Sequence, residues 1–295
     1  AQSLSDFYQF KNVLTREVSY ESILKANRKI IHHLAGDVIE SEYNDRIEYF
    51  LYDLAIHFDL AENEEKAKKY LNSAGQMAAS IYDNTQAITF YRRYIELLKD
   101  NEIPIELDIN NKIADILILT GGWKEAQSIY DDINNQSIEL KDTKRQARFS
   151  GGLGNSYYLL GDFKQARNYF EKQKSISEKL GLKKEWLRSM GYIGELNIDE
   201  GHLDDAMENF KKQEEYFLSE KEERELSQVY GNMAFVNLRK GKMNDAVMLY
   251  EKQLDLCDRY NLKHQSSKAL GNLGVIHMIL GKFSDAIKHL QKVLD

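Results

Sequence analysis

The side chains best suited to chemistry lie in REVSYESILKANRKIIHHLAG (16–36), where Arg28 and Lys29 precede the adjacent pair His32 and His33. Two histidines that ligate one ion from a single helix stand four residues apart, which projects both from one face. Adjacent helical residues point about 100° apart, so His32 and His33 are not expected to share a metal. Asp53 and His57 do have the four-residue spacing, and an ordinary ion pair is expected between them. GGLGN (151–155) has the composition of a phosphate cradle, but its counterparts elsewhere in the chain read as mid-helix packing. No G-x-x-x-x-G-K-[ST], H-E-x-x-H, C-x-x-C or G-x-S-x-G occurs in the sequence. Catalysis, a cofactor and a metal are therefore not expected. Cys257, the single cysteine, reads as a small apolar helix residue, and its solitude favours a reducing cytoplasm.

The elements that must carry these residues are helices. One proline, Pro104, in 295 residues rich in Leu, Ala, Glu, Lys and Gln points to an all-α protein. The length predicts two domains or an elongated solenoid. A net charge of −7 with interspersed signs argues against a nucleic-acid partner, and no run of 18 apolar residues suggests a membrane span.

Self-comparison organises the chain. GGWKEAQSIYDDI (121–133), GDFKQARNYFEKQ (161–173), GHLDDAMENFKKQ (201–213), GKMNDAVMLYEKQ (241–253) and GKFSDAIKHLQKV (281–293) recur every 40 residues without a gap. Upstream of each stands a shorter pattern: NKIAD (111–115), GGLGN, GYIGE (191–195), GNMAF (231–235) and GNLGV (271–275). Each unit reads as helix, turn, helix. Small residues at Ala114, Gly154, Gly194, Ala234 and Gly274 in the first helix, and at Ala126, Ala166, Ala206, Ala246 and Ala286 in the second, let the helices cross closely. Tyr130, Phe170, Phe210, Tyr250 and Leu290 add a large knob four residues after each alanine. Gly121, Gly161, Gly201, Gly241 and Gly281 sit where a helix end favours a left-handed residue, as do Gly181 and Asn261 between units.

These residues resemble the tetratricopeptide repeat (TPR), over 105–295, lengthened from the usual 34 residues and without a closing proline. The resemblance implies a right-handed TPR superhelix, an α-solenoid, similar to the 40-residue units of spindle-orientation scaffolds and kinesin light chains. Residues 104–295 are expected to form five regular units and 41–103 degenerate TPR-like pairs, with 52–74 and 77–98 as two such pairs.

Residues 10–40 resemble the segment that ends the AAA/STAND-type ATPase module of multidomain signalling proteins, among them class III nucleotide cyclases and ATPase-linked kinases. The likeness rests on Glu17, Val18, Tyr20, Glu21, Ser22 and Leu24, then Arg28, His32, Ala35, Ile39 and Glu40; Asn12 departs from the histidine common at its position. It implies that 1–40 is the remnant of a winged-helix module, with Arg28 and His32 at a junction. The chain is then the non-catalytic, regulatory part of a larger ATPase-linked protein. A free-standing cytoplasmic TPR scaffold is the alternative.

A partner is expected on the concave face. Counting along the repeat puts Arg148, Arg188, Gln228 and Lys268 in one row, Asn155, Glu195, Phe235 and Val275 in a second, and Tyr158, Ile198, Leu238 and Met278 in a third, with Asp199 and Arg239 beside it. Gly151, Gly191, Gly231 and Gly271 are expected to leave bare backbone for an extended ligand. The expected ligand is an extended peptide or protein segment whose acidic groups meet Arg148, Arg188 and Lys268. The competing reading is a solvated face with ordinary charges. A chaperone-tail clamp is not expected, since Gly151 and Gly191 stand where it needs lysine. Uncapped end repeats leave self-association open.

Overall fold

The computed structural model describes residues 12–294, without the side chain of Leu294; residues 1–11 and Asp295, and with them the start of the 1–40 segment, lie outside the described residues. Every regular element among the described residues is helical. Two compact units divide between Gly122 and Trp123.

The first unit contains Val13–Ser22 (α1), Lys25–Glu42 (α2), Leu51–Leu60 (α3), Glu64–Ser80 (α4), Asn84–Glu96 (α5) and Ile103–Thr120 (α6). Pro104 falls in the first turn of α6, where its missing N–H costs nothing. The pairing of small and large residues starts earlier than the sequence suggests. A Cβ on Gly75 of α4 would lie 2.6 Å from the Tyr91 ring of α5, and one on Gly36 of α2 would lie 2.8 Å from the Phe58 ring of α3. Thus α2/α3 and α4/α5 close through a glycine, and α3 and α4, the pair within 52–74, also pack on one another, with Phe58 stacked on Tyr70.

The histidines of the opening stretch belong to this packing. His32 Nδ1 lies 2.8 Å from His57 Nδ1, and its Nε2 is 2.9 Å from the Tyr20 hydroxyl. His33 turns away to Asp37, at 3.4 Å. His57 therefore faces His32, while Asp53 still acts on it electrostatically. Burial holds both rings below the usual histidine value; the neighbouring ring and Arg28 add to this at His32, while Asp53 opposes it at His57. Nearby, Lys66 Nζ donates to Asp37 and Glu40, each at 2.7 Å, and the Tyr70 hydroxyl donates to Glu40. Burial raises the Glu40 pKa, but these bonds outweigh it and hold the carboxyl at about 2.

Both effects make α2 docking acid-sensitive. Below the unfolded histidine value of 6.5 the open state binds protons that the paired rings refuse, so stability present above that pH is lost as pH falls. Glu40 adds stability that is present above 4.5 and lost as pH falls toward 2. Hydrogen exchange should show α2 amides losing protection as pH falls below 6.5, with a flatter profile in His57→Asn. A loss of equal size in the variant would exclude the imidazole pair as its source.

The second unit is Trp123–Glu139 (α7), Thr143–Leu159 (α8), Phe163–Leu180 (α9), Lys183–Asp199 (α10), Leu203–Ser219 (α11), Glu223–Arg239 (α12), Met243–Tyr260 (α13), Lys263–Ile279 (α14) and Phe283–Leu294 (α15). Consecutive helices pack on one another as a solenoid. Asp142 and Asp162 start α8 and α9 by accepting from Arg145 N and Gln165 N, each at 3.0 Å. A Cβ on Gly154 or Gly194 would lie 2.7 Å from the ring of Phe170 or Phe210, so the glycines are what let the paired helices close. Phe170 also stacks on Tyr192 of α10 with centroids 4.7 Å apart, tying one pair to the next.

The turns after α8, α10, α12 and α14 carry left-handed glycines as expected, and Gly181 and Asn261 are left-handed between pairs. Lys141 and Lys221 occupy the equivalent positions with φ of 56° and 58°, where a side chain crowds the following carbonyl. That crowding costs about 1 kcal/mol, partly offset by the chain entropy a glycine would lose. Lys221→Gly should therefore stabilise the chain by about 0.5 kcal/mol, read as a higher urea midpoint at unchanged slope.

Candidate functional site

The first helices of the second unit, α8, α10, α12 and α14, present their inner rows to two adjoining hollows of about 250 and 390 Å³. The hollows share Glu195, Gln228 and Asn232 as their common wall. Of the residues expected to face a ligand, Tyr158, Ile198, Phe235 and Lys268 line the smaller hollow, Arg188 the larger, and Glu195 and Gln228 both. Ile198 is a core residue, only 4% exposed and packed with Phe210, and it contributes an edge. Arg148, Asn155, Leu238 and Arg239 line neither hollow. Arg148 lies over the Phe149 ring, and Leu238 packs toward the core around Tyr250.

The expectation of bare glycine backbone is corrected. Ideal Cβ atoms on Gly151, Gly191 and Gly231 would lie 2.4, 2.9 and 2.6 Å from the amides of Gln173, Gln213 and Gln253. The glycines make room for side chains of the second helices, and Gly231 and Gly191 also line the smaller and the larger hollow. Gly271 alone among the four stays open, because the equivalent second-helix residue is Val293. Gln213 donates to the Leu187 carbonyl at 2.8 Å. Gln253 is 4% exposed, lines the smaller hollow, and its Oε1 has no hydrogen-bond partner.

A polar relay runs along the shared wall. Gln228 Nε2 donates to Asn232 Oδ1 at 3.0 Å, and Asn232 Nδ2 donates to Glu195 Oε1 at 3.2 Å. On the next turn of α10 from Glu195, Asp199 accepts from the Tyr158 hydroxyl at 2.5 Å. Asn272 Nδ2 donates to the Tyr250 hydroxyl at 2.9 Å. Burial raises the Glu195 pKa, with Asp199 in the same direction; the Asn232 bond and Lys268 oppose it. Burial and then Asp199 raise that of Tyr158. Asn232, Asn272 and Gln253 were not singled out from sequence, although each recurs in the quoted blocks GNMAF, GNLGV and EKQ. Among the described residues no group of three or more His, Cys, Asp or Glu could hold a metal, and no helix is long and apolar enough to cross a membrane.

Two segments match tetratricopeptide-repeat family models, residues 147–180 and 225–295. The chain carries tetratricopeptide repeats. No curated protein matches it. Among solved structures, the apo form of RapI is 10% identical, covers 90% of this chain and 96% of its own, and superposes with a TM-score of 0.67. The Rap conjugation gene regulator of plasmid pLS20, solved in complex with the Phr* peptide, is 13% identical with coverages of 81% and 74% and a TM-score of 0.61. A STAND protein with a tetratricopeptide repeat sensor from Pyrococcus horikoshii is 14% identical, with coverages of 95% and 41% and a TM-score of 0.60. At these identities the likeness establishes the TPR-type α-solenoid and nothing finer.

Proposed function

We propose that this chain is a non-catalytic interaction module that holds an extended peptide or protein segment in the hollows along α10, α12 and α14. The observation that carries this reading is the polar relay Gln228–Asn232–Glu195, which lines both hollows. Amide side chains at successive turns of a first helix suit the alternating N–H and C=O groups of an extended backbone. Arg188 and Lys268 make no ion pair with any described residue and lie at the groove, so they are the groups to meet ligand carboxylates. The peptide in the pLS20 Rap regulator's structure supports a peptide as the class of ligand.

Selection of random dodecapeptides displayed on phage against the immobilised chain tests the reading. Binders that also compete with one another for a single site are expected; recovery of none would overturn it.

The larger setting we propose is regulatory: the module senses a protein ligand and passes the event to an ATPase-linked signalling protein in the cytoplasm. Residues 10–40, with their likeness to the end of an AAA/STAND module, and the STAND protein with a TPR sensor support this setting. A ligand could shift such a protein only through different affinity for its two states. Nucleotide turnover by the natural full-length protein should therefore change on ligand addition. Unchanged turnover would favour the free-standing scaffold.

A further inference from the structure

We propose that the smaller hollow is a guanidinium pocket, in which Glu195 and Asp199 receive an arginine side chain of the bound peptide. This rests on the groove reading above and adds the chemistry of one subsite. The two carboxylates stand one helical turn apart on α10, each fixed by a neutral donor: Asn232 on Glu195 at 3.2 Å and the Tyr158 hydroxyl on Asp199 at 2.5 Å. Neither is in an ion pair with any described residue, and the one cation on the hollow's lining, Lys268, is exposed. Glu195 is partly buried and Asp199 exposed, and Lys268 acts on Glu195 only through space, so both carboxylates keep acceptor capacity for a cation at the hollow's edge.

A second observation points the same way. Gln253 comes from α13, lines the hollow, is 4% exposed, and keeps an oxygen without a donor. The hollow thus offers acceptors from two helices. A guanidinium, with five N–H groups in a planar fork, matches several acceptors at once; an ammonium does so less well. Phe235 and the edge of Ile198 supply an apolar wall for the aliphatic stem. The hollow's volume of about 250 Å³ admits one such side chain and little more.

Peptides displayed on phage and selected on the wild-type chain should carry arginine at one fixed position. Glu195→Gln and Asp199→Asn, which keep shape and remove charge, should abolish that preference while the rest of the consensus persists, and weaken an arginine peptide at least about tenfold. Selected peptides without a fixed arginine, or a preference unchanged in Glu195→Gln, would overturn the pocket and leave the groove standing. A second probe separates the two readings. N-acetyl-arginine methylamide should shift the side-chain amide resonances of Asn232 and Gln253, and its citrulline counterpart should not. Equal or absent shifts would overturn the pocket whatever the display experiment returns.

Discussion

Phe210→Ala will cost about 3–5 kcal/mol, the largest stability loss we expect from any single truncation in the second unit. The ring is fully buried, packed against Gly194 of its own pair and against Leu226, Val229 and Met233 of α12. Its removal therefore weakens one intra-pair and one inter-pair contact together. Stability in a repeat array is nearly a sum of nearest-neighbour terms, so the damage should begin locally. Hydrogen exchange should show α10 and α11 opening first, before α14 and α15. A uniform loss of protection along the whole unit would mean that the pairs unfold as one block. The glycine opposite gives a control: Gly194→Leu in the Phe210→Ala background fills part of the cavity and should recover part of the loss, whereas alone it overpacks by about 1–3 kcal/mol.

Arg188→Glu should weaken a selected groove peptide that carries an acidic residue by more than about tenfold, with little change in stability. The side chain is exposed at the rim of the larger hollow and makes no ion pair within the chain. Reversal both removes the cation and adds to the acidic side of a wall that already holds Glu222 and Glu225. Arg239→Glu, exposed on α12 but outside both hollows, should leave affinity unchanged and serves as the comparison. Equal losses in both would mean that long-range charge, not the groove, sets affinity.

Much of this was legible in the sequence because the 40-residue period repeats its own physics. Small residues at Gly154 and Gly194 announce close helix crossing, the knobs at Phe170 and Phe210 name what fills it, and Gly161 and Gly201 mark the left-handed turns. The period failed where the chain departs from it. Gly154 and Phe170 are sixteen residues apart, whereas Gly36 and Phe58 are twenty-two apart because the 3-10 turn Asn44–Phe50 intervenes. A gapless comparison cannot see that pair, so α2 was set apart from the repeats. Lys141 and Lys221 hid two left-handed caps behind a residue type that ordinarily avoids them.

The groove was half legible for a different reason. Counting along one helix finds the inner rows, and it placed Arg188, Glu195, Gln228 and Lys268 at the hollows. It cannot find what arrives from the second helices. Gln173, Gln213 and Gln253 close the space behind three of the glycines, and only the pairing of helices shows that. The signal was present in the recurring EKQ and KKQ block ends, at the same repeat position as the glycines' partners.

The central claim is that ligand lies along α10, α12 and α14. The most direct test is to map side-chain and backbone resonance shifts of the chain as a selected dodecapeptide is added. The account predicts shifts concentrated at Arg188, Gln228, Asn232, Phe235 and Asn272, lost in the presence of a competing groove peptide. Shifts confined to the outer second helices α9, α11 and α13, with Asn232 and Asn272 unmoved, would contradict it.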